Sequence, residues 1–312
     1  MAKYVFGVDI GGTTVKIGYF DTEGTLIEKW EIPTVKDNNG AKILPDVAES
    51  IKAKMAEKNM AKEDVEGVGI GVPGPVDDDG NVLKAANLGW GVFSVKNTME
   101  DLLGLKVSAG NDANVAALGE MWKGGAEGYS NVVMVTLGTG VGGGIILKGK
   151  ILNGSNGSAG EIGHIHVNDD EEDVCGCGNK GCLEQYSSAT GITRIANKIL
   201  NSSDEKSVLR DGDVNAKTIF DAVKAGDALA DKVAKVYGKY LGDALACISA
   251  VVNPEVICVG GGVSKAGEVV LDYVKPHYVK NVFHGSRDTA FVLAKLGNDA
   301  GIYGAAKLVI GD

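Results

Sequence analysis

Three of the five cysteines lie within eight residues of one another, in the segment CGCGNKGCLEQ at 175–185. Their order is Cys175-x-Cys177-x₄-Cys182, and His164 stands eleven residues upstream. Zn²⁺ favours four tetrahedral nitrogen and sulfur ligands, and three cysteines with one histidine are a standard structural set. The spacing therefore favours a zinc site, with His166 as an alternative fourth ligand.

Two other interpretations of these cysteines are weaker. A disulfide framework is disfavoured because the segment MAKYVFGVDIGG lacks a secretory signal and the number of cysteines is odd. A redox pair would usually show C-x-x-C, which is absent here. The remaining two, Cys247 and Cys258, lie in apolar helix and strand patterns and are expected in the core.

Three glycine-rich turns follow apolar runs, at 9–14 (DIGGTT), 137–144 (LGTGVGGG) and 259–264 (VGGGVS). Glycines let backbone N–H groups close on phosphate oxygens, and threonine hydroxyls add donors. In the first turn, Asp9 could also hold Mg²⁺ through water. A plain hairpin or strand-to-helix turn would explain any one of them alone. Three in one chain favour a nucleotide held by several turns.

The second turn also resembles two nucleotide motifs that we reject. Gly138, Gly140 and Gly143 form a G-x-G-x-x-G, but the dinucleotide fingerprint needs a helix directly afterwards, and IIL is typical of a strand. The run GIILKGKI at 144–151 approaches a Walker A motif. There Ile151 stands where Ser or Thr must bind Mg²⁺. A phosphate-binding hairpin remains.

Polar side chains that could act on a hydroxylated ligand lie near these turns. Asn111 and Asp112 come where a buried strand ends and a helix begins, the usual place for site residues in open α/β sheets. Aspartate can accept a hydroxyl proton during phosphoryl transfer, although helix capping alone would also explain this pair. Glu161, His164 and Glu184 suit recognition of sugar hydroxyls; the alternative is a solvated loop with incidental charges.

The elements that must position these residues mix β-hairpins with helical crossovers, which predicts an α/β protein. Strands are expected at 4–10, 15–20, 25–34, 65–76 (running into a loop), 106–110, 131–147 (strand, turn, strand), 256–263 (with its turn) and 291–296. Helices are expected at 41–58, 111–122, 189–201, 215–225, 227–252 and 298–310. A similar strand–turn–strand unit at 7–20 and 135–149 suggests two domains that face a shared phosphate.

Composition limits the partners. The chain has 312 residues, enough for one large or two ordinary domains. The net charge of −10 argues against a nucleic-acid surface. No apolar run approaches the roughly 18 residues of a membrane span. We therefore expect neither a nucleic-acid partner nor a membrane partner.

The chain resembles the ROK family of sugar kinases over essentially its whole length, most closely the bacterial ATP-dependent glucokinases of that family. The pair of motifs GEIGH and C-x-C-G-x₂-G-C-L-E is the most specific part of the resemblance. The motifs that carry it are DIGGTTVKIG, GVPGPVD, NLGW at 87–90, GNDAN at 110–114, LGTGVGGGI, GEIGH and CGCGNKGCLE.

The resemblance implies a two-domain actin-like or hexokinase-like (RNase H-like) ATPase fold, with the active site in the interdomain cleft. We expect residues 1–114 to form the N-terminal α/β domain, with the C-terminal helix at about 298–312 packing back on it. Residues 115–297 would form the larger C-terminal α/β domain, which carries the zinc loop.

The resemblance also implies a role for each candidate residue, with Asp112 as the general base. Sugar contacts are implied for Gly74, Asn87, Asn111, Asp112, Glu161, His164 and Glu184. ATP contacts are implied for Asp9, Gly11, Gly12, Thr13, Lys16, Gly138, Thr139, Gly140, Gly261 and Gly262. Structural zinc is implied on His164, Cys175, Cys177 and Cys182.

We therefore expect a cytoplasmic kinase that uses ATP and Mg²⁺ to phosphorylate the 6-hydroxyl of glucose. The alternatives are a kinase for fructose, mannose or N-acetylmannosamine, another phosphoryl donor, or a sugar-sensing regulator, which Asp112 and the lack of an N-terminal helix-turn-helix disfavour. A homodimer is expected because two-fold dimers are the commonest oligomers. The acidic run NDDEED at 168–173 lengthens the metal loop relative to the common family spacing, so His166 stays open as a ligand.

Overall fold

The computed structural model describes residues 2–311, and the expected α/β class is confirmed. Its strands are β1 (Tyr4–Ile10), β2 (Thr14–Asp21), β3 (Leu26–Pro33), β4 (Val65–Val72), β5 (Asn81–Val82), β6 (Phe93–Ser94), β7 (Val107–Asn111), β8 (Val132–Leu137), β9 (Val141–Leu147), β10 (Lys150–Ile151), β11 (Val256–Gly260) and β12 (Ala290–Leu293).

The helices are interleaved with these strands along the chain. They are α1 (Asp37–Gly40), α2 (Ile43–Glu57), α3 (Val95–Leu103), α4 (Asp112–Lys123), α5 (Glu184–Ser187), α6 (Ala189–Ser202), α7 (Ala216–Lys224), α8 (Ala228–Val252), α9 (Val269–Asn281) and α10 (Ala300–Ile310). Within residues 2–311, no helix combines the length and the hydropathy that a membrane crossing needs.

The chain divides into two compact units. The first comprises the residues up to Ser130, Gly144–Gly160 and those from Leu296 onward; the second comprises Asn131–Gly143 and Glu161–Lys295. The C-terminal helix falls in the first unit, as expected from the sequence, whereas the expected boundary between residues 114 and 115 does not coincide with these units. The first takes in the whole of α4 because this helix packs on α10. The chain passes from the second unit to the first within β9, between Gly143 and Gly144. The hairpin of β8 and β9, which we expected in one domain, therefore does not lie in a single unit.

The first unit is built on a five-stranded sheet of order β3-β2-β1-β4-β7. Strands β1, β2 and β3 pair antiparallel, whereas β1, β4 and β7 are parallel, with Val8 opposite Ile70 and Gly71 opposite Gly110. The sheet is apolar and covered by α2, whose buried residues recur at helical spacing and include Ile43, Leu44, Val47, Ile51 and Met55. The parallel arrangement brings the carboxyl ends of β1, β4 and β7 to one edge.

Helix α10 lies against β1, β4 and α4 at unusually short range. A Cβ added at Gly69 of β4 would stand 1.6 Å from the carbonyl oxygen of Ala305, and one at Gly304 would stand 1.6 Å from that of Val115. Only glycine permits backbones to approach so closely. The two glycines therefore fix how α10 packs on the sheet and on α4.

The second unit contains the parallel strands β8, β11 and β12, in that order, with Val135 opposite Val259 and Cys258 opposite Val292. Helix α8 is the longest, at 25 residues, and begins at its N-cap Asp227. It packs against α5, α6, α7 and α9. These helices bury the core of this unit, including the fully buried ring of Tyr237.

Several details differ from the sequence-based expectation. The helices α3 and α9 were not predicted; α3 is short, and α9 carries Pro276 in its interior. By contrast, the strand expected to run into a loop within 65–76 does so, and it ends at Val72. Cys258 is buried as expected, but the prediction of a core position for Cys247 is wrong, because it lies on the exposed side of α8.

Candidate functional site

The turn between β1 and β2 presents its backbone to solvent. Gly12 and Thr13 are exposed, while the N–H of Gly11 donates to the carbonyl of Thr14 at 3.0 Å. The segment after β3 steadies the turn, because the Thr34 hydroxyl donates to the carbonyl of Gly11 at 2.8 Å. A rigid turn with exposed backbone is what a phosphate site requires.

Asp9 stands at the end of β1, directly before this turn. Burial raises the pKa of its carboxyl, and the neighbouring charge of Lys16 on β2 acts in the opposite direction. The two residues are direct partners across the strands, and the Lys16 ammonium donates to the carbonyl of Asn298 at 3.0 Å. A carboxylate in this position could hold a hydrated cation next to the turn.

The turn between β8 and β9 belongs to the second unit. It is followed by a strand, which confirms that its G-x-G-x-x-G is not a dinucleotide fingerprint. The N–H of Gly138 donates to the carbonyl of Gly140 at 3.0 Å, and the carbonyl of Gly138 accepts from Ala189 at the start of α6. A Cβ at Gly140 would lie 2.1 Å from a carboxylate oxygen of Glu184. The Glu184 carboxylate thus lies directly against this turn.

The third turn follows β11 in the same unit. A Cβ at Gly261 would lie 2.6 Å from the backbone of Leu137, the last residue of β8. The Ser264 hydroxyl donates to the carbonyl of Gly261 at 2.8 Å and closes the turn. Because β8 and β11 are parallel neighbours, the second and third turns lie side by side at their carboxyl ends.

Asn111 and Asp112 divide the junction between β7 and α4. Asn111 is the N-cap, and its side-chain oxygen accepts from the N–H groups of Ala113 and Asn114 at 3.0 and 3.1 Å. Its amide donates to the carbonyl of Gly74 and to the Asp112 carboxylate, at 3.0 and 3.1 Å. Asp112 Oδ1 also accepts from Ala113 at 2.8 Å. Capping therefore falls mainly to Asn111, and the carboxylate of Asp112 is held in a defined orientation.

The loops around Asn111 place two more of the candidates. Gly74 adopts φ +104°, and its carbonyl is the one that accepts from Asn111. Asn87 is exposed in a short turn at Ala86–Leu88. The structure thus joins Gly74 to Asn111 directly, and it shows Asn87 at the surface of the same unit.

The metal cluster predicted from the cysteines is assembled in the second unit. One ligand atom each from His164, Cys175, Cys177 and Cys182 lies within 4.8 Å of the others. The Sγ atoms of Cys177 and Cys182 are 3.6 Å apart, close to the edge of about 3.8 Å for two sulfurs on a tetrahedral Zn²⁺. His166 faces elsewhere: its ring nitrogens lie 2.9 Å from the carbonyl of Lys180 and 2.8 Å from Asp169.

The donor set fits a zinc ion. Burial raises the pKa of the Cys175 thiol, and it raises the pKa of Cys182 to about 12. The N–H of Asn179, by contrast, lowers the pKa of Cys177. Two thiols in this cluster therefore resist ionisation by themselves. A bound cation reverses that preference, because thiolates are its ligands.

Glu184 connects this cluster to the second turn. It is the first residue of α5, and its Oε2 accepts from the N–H of Val141 at 2.9 Å. Its Oε1 lies 3.6 Å from the sulfur of Cys175. Glu161, by contrast, is exposed just before the turn that carries His164. The Nδ1 atom of His164 lies 3.8 Å from the same sulfur, so His164 and Glu184 both contact Cys175.

Sequence reasoning missed a group of polar residues behind the cluster. Glu171, Tyr186 and Arg194 form a hydrogen-bonded set in which the Glu171 carboxylate is buried. The signal in the sequence was the acidic run at 168–173, which we noted only as extra loop length. No pattern paired it with an arginine 23 residues away.

Comparison with known proteins yields full-length matches. The model of the ROK family matches residues 5–312. A glucokinase of Halalkalibacterium halodurans is 44% identical over 98% of this chain and 95% of its own length. A ROK family glucokinase from Streptomyces griseus, solved in complex with glucose and AMPPNP, is 36% identical with a TM-score of 0.72, covering 97% of this chain and 98% of its own.

The ROK hexokinase of Thermus thermophilus is 30% identical with a TM-score of 0.78, and the match covers 98% of this chain and 97% of that one. Sequence and fold thus agree over the whole length, as the motifs indicated. This chain belongs to the ROK family.

Proposed function

We propose that this protein is an ATP-dependent kinase that transfers the γ-phosphoryl group of ATP to the 6-hydroxyl of glucose. The observation that carries the proposal is the carboxylate of Asp112 at the carboxyl end of β7, oriented by Asn111 and by the N–H of Ala113. The 44% identity to a glucokinase supports the choice of substrate.

In the proposed reaction Asp112 is the general base. The hydroxyl proton moves to the carboxylate as the sugar oxygen forms a bond to the γ-phosphorus. The bond from that phosphorus to its bridging oxygen breaks, and the electron pair leaves with ADP. Because phosphoryl transfer depends mainly on positioning and charge neutralisation, the carboxylate must be correctly oriented as well as able to accept the proton.

The glycine-rich turns would hold ATP. We propose phosphate contacts from Gly11, Gly12, Thr13 and Lys16 in the first unit and from Gly138, Thr139 and Gly140 in the second. Gly261 and Gly262 would lie near the nucleoside. Mg²⁺, when bound, would neutralise the phosphates, and Asp9 suits its hydrated ion because it is a carboxylate directly before the first turn.

The polar groups that would hold the sugar come from two parts of the chain, one around Asn111 and the other between Glu161 and Glu184. We propose Asn111, Glu161, His164 and Glu184 as hydroxyl partners, with the loop of Gly74 and the turn of Asn87 beside them. Each carboxylate offers two acceptor oxygens, so it can accept from several hydroxyls and select a hydroxyl pattern. Because Glu184 contacts Cys175, the proposed sugar site would adjoin the proposed metal site.

We propose that the metal is structural Zn²⁺ on His164, Cys175, Cys177 and Cys182. Four protein ligands leave no open position, which is typical of structural rather than catalytic zinc. Its task would be to fix the loop that carries His164 and precedes Glu184.

The preferred sugar and donor require a direct test. Sugar phosphate should be measured for glucose, fructose, mannose and N-acetylmannosamine, each with ATP, ADP or polyphosphate as donor. We expect the highest kcat/KM with glucose and ATP. A higher value for another sugar would move the assignment within the sugar kinases, and no product from any pair would support a sugar-sensing regulator.

We further propose a homodimer in the cytoplasm. ATP as donor and three thiols gathered at a metal site suit a reducing compartment, and two-fold dimers are the commonest assemblies. Light scattering coupled to gel filtration would test the dimer, and a monomer at micromolar concentration would contradict it.

A further inference from the structure

The acidic run at 168–173 folds against α6 through an ion pair whose carboxylate is buried. The side chain of Glu171 is 3% exposed, and the Arg194 guanidinium grips its carboxylate with two bonds of 2.9 and 2.5 Å. The Tyr186 hydroxyl donates to the same carboxylate at 2.5 Å and accepts from Asn168 at 2.7 Å. Both carboxylate oxygens of Glu171 thus accept hydrogen bonds from these side chains.

Stability alone does not explain such a pair. A buried ion pair contributes little over an apolar pair of the same size, because desolvation offsets the attraction, whereas loss of one partner is strongly destabilising. A two-pronged Arg–carboxylate bond does restrict direction, since both planar groups must align. The pair is therefore suited to hold two segments in one relative position.

The same guanidinium reaches the metal loop by two further contacts. It donates to the Asp173 carboxylate at 2.6 Å and to the backbone carbonyl of Gln185 at 3.0 Å. The side chain of Gln185 closes the network, because it donates to the carbonyl of Asp173 at 2.9 Å and accepts from the N–H of Cys182 at 3.0 Å. Arg194 thus links the acidic run to a proposed metal ligand.

The network ends at the first turn of α5, next to Glu184. Glu184 directly precedes Gln185, and its carboxylate meets the turn at Val141 and the sulfur of Cys175. A cavity of about 240 Å³ opens here, with Glu184, Cys175, Thr139 and Arg194 among its lining residues. Helix α5 has only four residues, so its own hydrogen bonds cannot fix its direction.

We propose that Glu171 and Arg194 are positioning residues that orient α5 and the metal loop, so that the Glu184 carboxylate is presented correctly to the sugar. The inference rests on the proposed function for its sugar, but the bracing of the loop does not. In this proposal the acidic run at 168–173 acts as a brace, because it holds the metal loop in a fixed position against α6.

The test uses Glu171→Gln and Arg194→Lys, with Glu172→Gln as matched control, because Glu172 is the exposed neighbour in the same run. If Glu184 binds the sugar equally in ground and transition states, a misplaced Glu184 raises KM for glucose by about tenfold and lowers kcat less. The double variant should be no worse than the more affected single one, because both act through one contact.

A second readout needs neither sugar nor turnover. The buried thiols of Cys175 and Cys182 should react with a thiol reagent about tenfold faster in both variants, because local opening of the loop becomes easier. Circular dichroism checks that each variant is folded. Tyr186→Phe is the milder variant: it removes one donor to Glu171 and should shift both readouts in the same direction, by less.

The proposal is overturned if both variants keep the control's thiol reactivity and its KM for glucose. If the parent phosphorylates no sugar, the proposed function has failed, and the thiol readout decides alone: faster reaction supports the brace and unchanged reaction overturns it. If only KM rises, with loop thiols unchanged, the positioning proposal is also overturned, because the effect then bypasses the loop.

Discussion

Asn111 and Asp112 show how adjacent residues of similar chemistry can take different tasks. The Asn111 oxygen satisfies the first N–H groups of α4, and its amide donates to the neighbouring carboxylate. An amide can donate and accept at once, whereas an ionised carboxylate only accepts. The order Asn-Asp is therefore suited to a capped helix that presents an oriented base.

Replacement of Asp112 by Asn tests that division. The Asp112→Asn variant should lower kcat by about 10³-fold, because the amide cannot accept the hydroxyl proton. The amide oxygen can still accept a hydroxyl hydrogen bond, so the Kd for glucose from calorimetry should stay within about threefold. Asp101→Asn, an exposed position on α3, is the control. Turnover near the parent rate would rule out Asp112 as the base.

At the scale of elements, the packing of α10 depends on glycine residues, which have no side chain. Gly304 faces the carbonyl of Val115 on α4 so closely that no Cβ fits. Alanine is intrinsically better in a helix than glycine by about 1 kcal/mol. A loss of stability on substitution would thus come from packing, and it must exceed that gain.

We expect Gly304→Ala to destabilise the protein by about 2 kcal/mol or more, because α10 must shift away from α4. Gly91→Ala is the control: nothing lies within 4 Å of a Cβ there, and its change should be about 0.5 kcal/mol or less. Urea titrations measure both. Equal stability of the two variants would contradict the account of α10.

The start of α8 depends on one carboxylate. Asp227 accepts from the N–H groups of Leu229 and Ala230, at 3.0 and 2.9 Å, and also from Val208 and Ser207 in the preceding turn. Its pKa is lowered although burial, the largest single influence, acts to raise it, because these donors together outweigh that effect.

Asp227→Ala should therefore cost about 1–2 kcal/mol, since it removes the cap of a 25-residue helix and releases the turn. Asp227→Asn retains one oxygen for Leu229 and Ala230 but loses the acceptor for the N–H of Val208, so it should cost about 0.5–1 kcal/mol, less than Asp227→Ala. Thermal unfolding compares the two. A similar loss in both would show that charge, rather than capping, is what the position requires.

The sequence was informative wherever local pattern decides the structure. The spacing of Cys175, Cys177 and Cys182 indicated a common site, and apolar periodicity located α2 and α8. Local pattern was weak for α3, which has nine residues, and for α9, where Pro276 argues against a helix. Tertiary packing stabilises both.

The limits were different for the candidate site. The side chains of Asn111 and Glu184 could be chosen from their positions beside a strand end and a metal motif. The Glu171–Arg194 pair could not, because its two members lie 23 residues apart and become neighbours only when the loop folds on α6. Such long-range polar contacts leave no periodic trace in a single sequence.

For the molecule as a whole, the contribution of the Glu171–Arg194 pair to the free energy of unfolding should change with pH in the acid range. Arg194 is the main reason that the pKa of Glu171 lies below its ordinary value of 4.5 in the folded protein. A carboxyl group with a lowered folded pKa adds stability at pH values above its unfolded pKa. That contribution is lost as the pH falls toward the folded pKa.

Accordingly, the parent should exceed Glu171→Gln in free energy of unfolding by about 3 kcal/mol at neutral pH. The difference should be constant down to about pH 5 and shrink by about 2 kcal/mol on going to pH 3. Glu172→Gln should follow the parent throughout, since its carboxyl is exposed. Urea titrations from pH 7 to about pH 3 test this. A difference that persists undiminished at the acid end would mean that shape, and not the ionised carboxylate, accounts for the effect of Glu171.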